Sequence, residues 1–238
     1  MYVYHEPNGR GYAYFDVSKR AEPAVFHRRM CETLVRALKD KGISASVLDA
    51  KDWLAICRQR KLCVVVDMCQ YPHESLYRGQ DEGSPIEQWL DAGGVMVYSG
   101  DWPFHWYVKA DGELDSRGAG QQGDDDIFDV DLVKDGFVGV EVAPTDAARK
   151  WIPSLHAGRT LRPFDAEAVK QHCPWYEFYL RGKRGARTAA DALAFRMPHG
   201  KGLFVAFHLR RGSHTDSNQA IFEFITNRLP AVLKGAAR

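Results

Sequence analysis

Apolar and polar positions divide this chain into runs of two kinds. Continuous apolar stretches occur at 62–68 (LCVVVDM) and 95–98 (VMVY). A β-branched run without polar alternation suits a parallel strand covered on both faces. Between and before them the apolar period becomes helical. Phe26, Met30, Leu34, Ala37 and Leu38 share one face of residues 23–41, and Gly42 stops the run. Residues 49–60 carry Trp53, Leu54 and Ile56 as a shorter helix, and 84–92 (SPIEQWLDA) end at Gly93-Gly94, where glycine relieves a left-handed position. Residues 2–4 and 43–48 supply two further strands. The order strand-helix-strand-helix-strand-helix-strand, with right-handed crossovers, predicts a three-layer α/β architecture: a mostly parallel central sheet with helices on both faces.

The second half is less regular. Residues 107–136 are dense in glycine and aspartate and read as an irregular insertion. Strand patterns follow at 137–142, 175–180, 192–197 and 203–207, with a helix at 144–156 that Thr145 or Asp146 caps. The last two strands are separated by 198–202 (PHGKG), short enough for a late antiparallel hairpin. A closing helix at 217–233 shows Ile221, Phe222, Ile225, Leu229 and Val232 on one face. No internal repeat is visible, and the whole of 1–238 is expected to form one domain.

Composition narrows the function classes. At 45% hydrophobic and 26% charged, the 238 residues can bury a substantial core. Lysine plus arginine (32) nearly balances aspartate plus glutamate (31), so no overall field attracts nucleic acid or an anionic membrane. No apolar stretch reaches spanning length and the amino terminus lacks a leader pattern, so a cytoplasmic location is expected. The five cysteines have neither CxxC nor scaffold spacing and read as reduced, mostly buried thiols.

In an open parallel sheet, chemistry gathers beyond the carboxyl ends of the strands. The candidate loops are therefore 5–11, 69–74, 99–107 and the segment after Phe207. Asp101 is the central residue: a carboxylate after a buried strand can hold sugar hydroxyls, act as a base or cap its own turn. Trp102, Phe104, Trp106 and Tyr107 surround it, and aromatic faces with few polar groups suit pyranose stacking as well as plain packing. Tyr71, His73, Trp102, His105 and Arg210 are the substrate-binding candidates.

Other groups compete for attention. His73, Glu74, Asp101, His105, His208 and His214 share one expected edge but show no short metal-ligand spacing, so no metal and no cofactor is expected. The acidic stretch Asp124, Asp125, Asp126, Asp129 and Asp131 lacks a calcium-loop pattern and reads as a solvated loop. Cys69 reads as a buried thiol. Arg181, Lys183, Arg184 and Arg187, with Arg210 and Arg211, form the basic concentration, suited to a phosphate or carboxylate as well as to solvation.

Three stretches, LCVVVDM, DAGGVMVYSGDWPF and GKGLFVAFHLRRGS with the helix that follows, resemble the class I glutamine amidotransferase-like superfamily, a flavodoxin-like fold. The nearest likeness is to trehalose-utilisation-type proteins and the similar domain of some β-galactosidases. The resemblance covers most of the chain outside about 107–175. It places Ser99-Gly100-Asp101 where active amidotransferases carry the cysteine on its elbow, and His208 where they carry the histidine, so the resemblance implies Ser99 with His208 as a candidate nucleophile-base pair, although the G-x-S-x-G pattern is absent. Leu209-Arg210 replaces the following Pro-Glu, so glutaminase activity is not expected. What the resemblance implies is a carbohydrate-related hydrolase or sugar-binding protein, taking a small-molecule or carbohydrate ligand; the alternative is a non-catalytic interaction module. A homo-oligomer is compatible with either.

Overall fold

The first strand, β1 (Tyr2–Tyr4), is followed by a single turn, α1 (Phe15–Ser18), and the long helix α2 (Pro23–Asp40). Then come β2 (Ser46–Leu48), α3 (Ala50–Arg58), β3 (Val64–Met68), α4 (Pro85–Ala92) and β4 (Val95–Gly100). A small hairpin, β5 (Trp106–Val108) and β6 (Leu114–Ser116), leads to α5 (Gln122–Phe128), β7 (Glu141–Pro144) and α6 (Asp146–Trp151). After β8 (Gly158–Arg159), β9 (Phe164–Asp165) and α7 (Ala166–His172), the strands β10 (Tyr176–Arg184), β11 (Arg187–Arg196) and β12 (Leu203–His208) complete the sheet. The chain closes with α8 (His214–Glu223), a π-helical turn over Phe224–Arg228 and α9 (Leu229–Leu233). This computed structural model describes every residue except 14, 80–81, 117–121, 209–213 and 236–238.

The strands form a ten-stranded sheet in the order β2-β1-β3-β4-β12-β11-β10-β7-β8, with β9 beside β11. Pairings from β2 through β12 are parallel, and those from β12 outward are antiparallel. The expected late hairpin is β11–β12. All six residues of β4 are buried, because helices cover both faces. On one face Tyr4, Trp53, Trp89, Met96, Tyr98, Phe128 and Phe204 pack with α3, α4 and the insertion. On the other, Leu34, Leu38, Val66, Val97, Phe207, Ile221 and Phe224 pack with α2 and the terminal helix.

Local chemistry explains the joint between α4 and β4. Ser84 Oγ accepts from the Glu87 N–H at 3.3 Å while Glu87 Oε2 accepts from the Ser84 N–H at 3.1 Å, a reciprocal cap that starts the helix at Pro85. The two glycines that end it do different work. Gly93 adopts φ 116°, the left-handed exit. Gly94 lets the chain pass the Trp89 indole, which a Cβ there would approach to 2.3 Å.

Several expected boundaries differ. The strand expected at 137–142 begins instead as a 3-10 turn, Asp135–Phe137, and pairs only from Glu141, since Gly139 at φ 80° turns the chain between them. The insertion holds the β5–β6 hairpin and α5, anchored by buried Ile127, Phe128, Leu132 and Val133. These apolar positions were hidden in the sequence by the surrounding aspartates and glycines. The strands expected at 175–180 and 192–197 extend into a long hairpin that turns at Gly185, φ 61°. No helix among the described residues is long and apolar enough to cross a membrane.

Candidate functional site

Because β1 lies between β2 and β3, the chain leaves it in one direction and returns on the other side, and the loops after β1 and β3 part there. Such a reversal opens a crevice at the carboxyl ends of an α/β sheet. Here the crevice is laced shut by polar contacts. Glu6 N–H donates to Gln70 Oε1 at 2.8 Å, and Gln70 Nε2 returns a bond to Glu6 O at 3.0 Å. Glu6 Oε2 also accepts from the Ala50 N–H at 3.3 Å, placing a carboxylate at the start of α3.

Beneath the same crevice His5 and His27 meet, Nδ1 to Nδ1, at 2.9 Å, and His27 Nε2 lies against the Met68 carbonyl. A carbonyl only accepts, so His27 donates from Nε2, accepts at Nδ1, and receives the His5 Nδ1 proton. Burial depresses both imidazoles to about 4, so the pair is neutral at physiological pH.

The Asp101 carboxylate is the best-connected group on this edge. Tyr71 donates its hydroxyl to Oδ2 at 3.2 Å, and the Trp102 N–H donates to Oδ1 at 2.8 Å. Arg162 donates Nε to Oδ1 as an ion pair and lays its guanidinium 4.9 Å from the Trp102 ring centroid. Tyr98, from within β4, donates its hydroxyl to the Asp101 carbonyl at 3.0 Å and braces the turn. The side chains of Asp101 and Arg162 remain 17% and 31% exposed, so the pair is open to a ligand. Tyr71 is buried, and that burial, with Asp101 beside it, holds its phenol well above the usual range.

The remaining expected residues fall into three groups. His73 and His105 flank the edge. His73 accepts the Ser75 N–H at Nδ1, 3.1 Å, and His105 packs edge-on to Trp106 at 5.0 Å. Ser99 is buried, its hydroxyl 3.9 Å from the Cys69 thiol. Cys69 is held at φ 60° by its N–H to Ser99 O (2.7 Å) and its carbonyl from Ala13 N–H (2.9 Å), and burial raises its thiol to about 12. In the β4–β12 register Ser99 stands opposite Phe207 and His208 opposite Gly100, so the His208 backbone and the Asp101 turn share one end of the sheet. Arg210 and the other expectations within 209–213 lie outside the described residues.

Arg162 was not among the expected residues. It sits between β8 and β9, in a stretch with no strand or helix period, and reaches Asp101 across 61 positions. No local signal marks such a pairing.

Among the described residues, the group of metal-ligating side chains that converge within 4.8 Å is Asp124, Asp125 and Asp131; His73, Glu74, Asp101 and His105 form no such group. Asp124 Oδ2 accepts the Leu132 and Val133 N–H groups at 2.9 and 3.0 Å, and Lys134 pairs with Asp131, so these acids fold the insertion onto itself. A cleft of about 550 Å³ also opens between the 7–12 loop, the first turn of α2 and residues 110–111; it contains none of the expected site residues.

No family model and no curated protein matches the chain. Solved structures to which it is similar include the exo-β-1,4-mannosidase Op5Man5 from Opitutaceae bacterium strain TAV5 (11% identity, 99% of this chain, 34% of that one, TM-score 0.46). Others are β-galactosidases from Bacillus circulans sp. alkalophilus (13%, 98% and 31%, TM-score 0.49) and Rahnella sp. R3 (15%, 100% and 31%, TM-score 0.47). The chain thus spans about a third of the length of each. With TM-scores below 0.5, these likenesses decide neither the family nor the chemistry.

Proposed function

We propose that this chain is a carbohydrate-binding α/β domain, built on the class I glutamine amidotransferase-like plan that its sequence resembles, and that its ligand site is the Asp101 edge. The observation that carries the reading is the joint presence of Asp101, Arg162, Tyr71 and the Trp102 ring at the carboxyl end of β4. A pyranose offers hydroxyls that both donate and accept, and an apolar C–H face. A carboxylate beside a guanidinium meets the first, and an indole meets the second.

Binding fits this geometry better than hydrolysis. Glycoside cleavage commonly uses two carboxyl groups about 5–10 Å apart, one of them protonated. Asp101 is ion-paired with Arg162, and among the described residues no second carboxylate shares its hydrogen-bond network. A serine mechanism is equally poorly served, with the Ser99 hydroxyl buried against a thiol.

The test is calorimetric titration of the full chain with a panel of mono- and disaccharides, alongside release assays with nitrophenyl glycosides. Saturable binding that Trp102→Ala weakens at least about tenfold, without turnover, is the expected result. Turnover would restore the hydrolase reading. Absence of binding across the panel would leave the chain as an interaction module.

A further inference from the structure

We propose that the ligand of this same site is an acidic sugar, with Arg162 as the residue that selects its carboxylate. The inference rests on the carbohydrate reading above and narrows it. Arg162 is held by three contacts: Nε donates to Asp101 Oδ1, Nη1 donates to the Leu161 carbonyl at 3.1 Å, and its guanidinium carbon lies 4.9 Å from the Trp102 ring centroid. Among the described residues Nη2 has no partner, on a side chain 31% exposed. A guanidinium fixed in this way offers its remaining N–H groups in a plane, at little entropic cost, to a planar two-oxygen acceptor. A neutral hydroxyl uses that plane poorly; a carboxylate uses it well.

Further basic residues lie on the same side of the sheet. Ala192 stands opposite Phe207, so the β10–β11 hairpin continues past the end of β12 on the site side of the sheet. Its register with β9, Ala190 to Phe164 and Ala189 to Asp165, brings it beside the Arg162 loop. That hairpin carries Arg181, Lys183, Arg184 and Arg187. Arg187 is paired with Asp165 and Arg184 donates to the Gly136 carbonyl, whereas Arg181 and Lys183 are exposed. Asp101 and Asp165 are thus both matched by arginines, while the exposed Arg181 and Lys183 stand against the acids Asp124, Asp125 and Asp131, which the bonds from Asp165 N–H to Leu132 O and from Lys134 N–H to Pro163 O bring to the same loop.

The experiment compares matched pairs by calorimetry at low salt: D-glucuronate with D-glucose, and D-galacturonate with D-galactose. The uronates are expected to bind at least about tenfold more tightly, the worth of one charge-assisted fork. Arg162→Gln is expected to erase that preference, whatever it costs in binding of the neutral sugars, and Arg162→Lys to restore only part of it. In the wild-type chain the preference should also shrink as sodium chloride rises toward 0.3 M, a readout that needs no variant. Equal binding of acid and neutral sugars would overturn the proposal and leave the sugar site standing. A preference that survives Arg162→Gln would overturn the role of Arg162. Failure of every sugar to bind would overturn both this inference and the reading beneath it.

Discussion

The molecule contains the same quartet of side-chain types twice. At the carboxyl edge are Asp101, Arg162, Tyr71 and Trp102. Across the sheet are Glu177, Arg228, Tyr179 and Trp151. In the second quartet Arg228 donates Nε and Nη2 to the two carboxylate oxygens of Glu177 at 2.7 and 3.1 Å. Tyr179 adds its hydroxyl at 2.7 Å, and the guanidinium lies 5.3 Å from the Trp151 ring centroid. Arg228 is nearly buried, at 9% side-chain exposure, and ties the π-helical turn to β10 and α6. The Arg162 guanidinium instead touches Asp101 through one nitrogen and stays partly wet. Residue type therefore does not separate a clamp from a site. What separates them is how many donors the protein itself consumes, and whether the group stands beyond the ends of the parallel strands.

The largest test of that distinction is a pair of substitutions. Arg228→Ala removes a nearly buried guanidinium and leaves the Glu177 carboxylate, 19% exposed, with the Tyr179 hydroxyl alone, which should cost about 2–3 kcal/mol in urea unfolding, with sugar affinity unchanged in the fraction still folded. Arg162→Ala removes a partly exposed pair and should cost about 1 kcal/mol or less, while moving affinity. If the two variants lose stability equally, Arg162 is a second clamp and the contrast collapses. Next in size is Asp101→Asn, which keeps the shape but removes the charge that holds Arg162. It should weaken ligand binding about tenfold with a melting curve close to wild type.

How far this contrast could be read from the sequence depends on which interactions are local. The runs at 64–68 and 95–98 announce doubly covered strands because burial on both faces leaves no room for polar alternation. Ser84 with Glu87, and Gly93 after the helix, mark their own boundaries within a few residues. Asp101, Tyr71 and Trp102 were visible as residues at strand ends. Their union with Arg162 was not, since that contact depends on the path of a chain segment between β8 and β9. The insertion was obscured for another reason: the aspartates that dominate its composition do structural work, as Asp124 does for Leu132 and Val133.

pH offers a smaller effect that must be separated from both quartets. Burial, with Asp125 beside it, raises the Asp124 carboxyl to about 8. An acid raised in the folded state favours folding while protonated, so its contribution is lost as pH climbs from about 4 to 8. The His5–His27 pair works in the opposite direction. Its folded values near 4 lie below the ordinary 6.5, so its contribution is present above 6.5 and fades as pH falls toward 4. Urea midpoints across pH 4–9 should flatten on the alkaline side in Asp124→Asn and on the acid side in His27→Gln. Arg162→Ala should follow the wild-type profile throughout, because neither titrating cluster contacts it.

The smallest effect is expected at Ser99, and it bears on what kind of site the edge is. The hydroxyl is buried 3.9 Å from the Cys69 thiol, and that thiol is kept protonated by burial. Replacing it with alanine removes one weak contact and leaves no charge behind, so Ser99→Ala should shift stability by less than about 1 kcal/mol and leave sugar affinity unaltered. The same substitution leaves Asp101 and its three donors in place, because each of them comes from Tyr71, Trp102 or Arg162. A large loss of binding in Ser99→Ala would mean that the ligand reaches past Asp101 into the strand end, and the boundary drawn between the rim and the packed sheet would have to move inward by two residues.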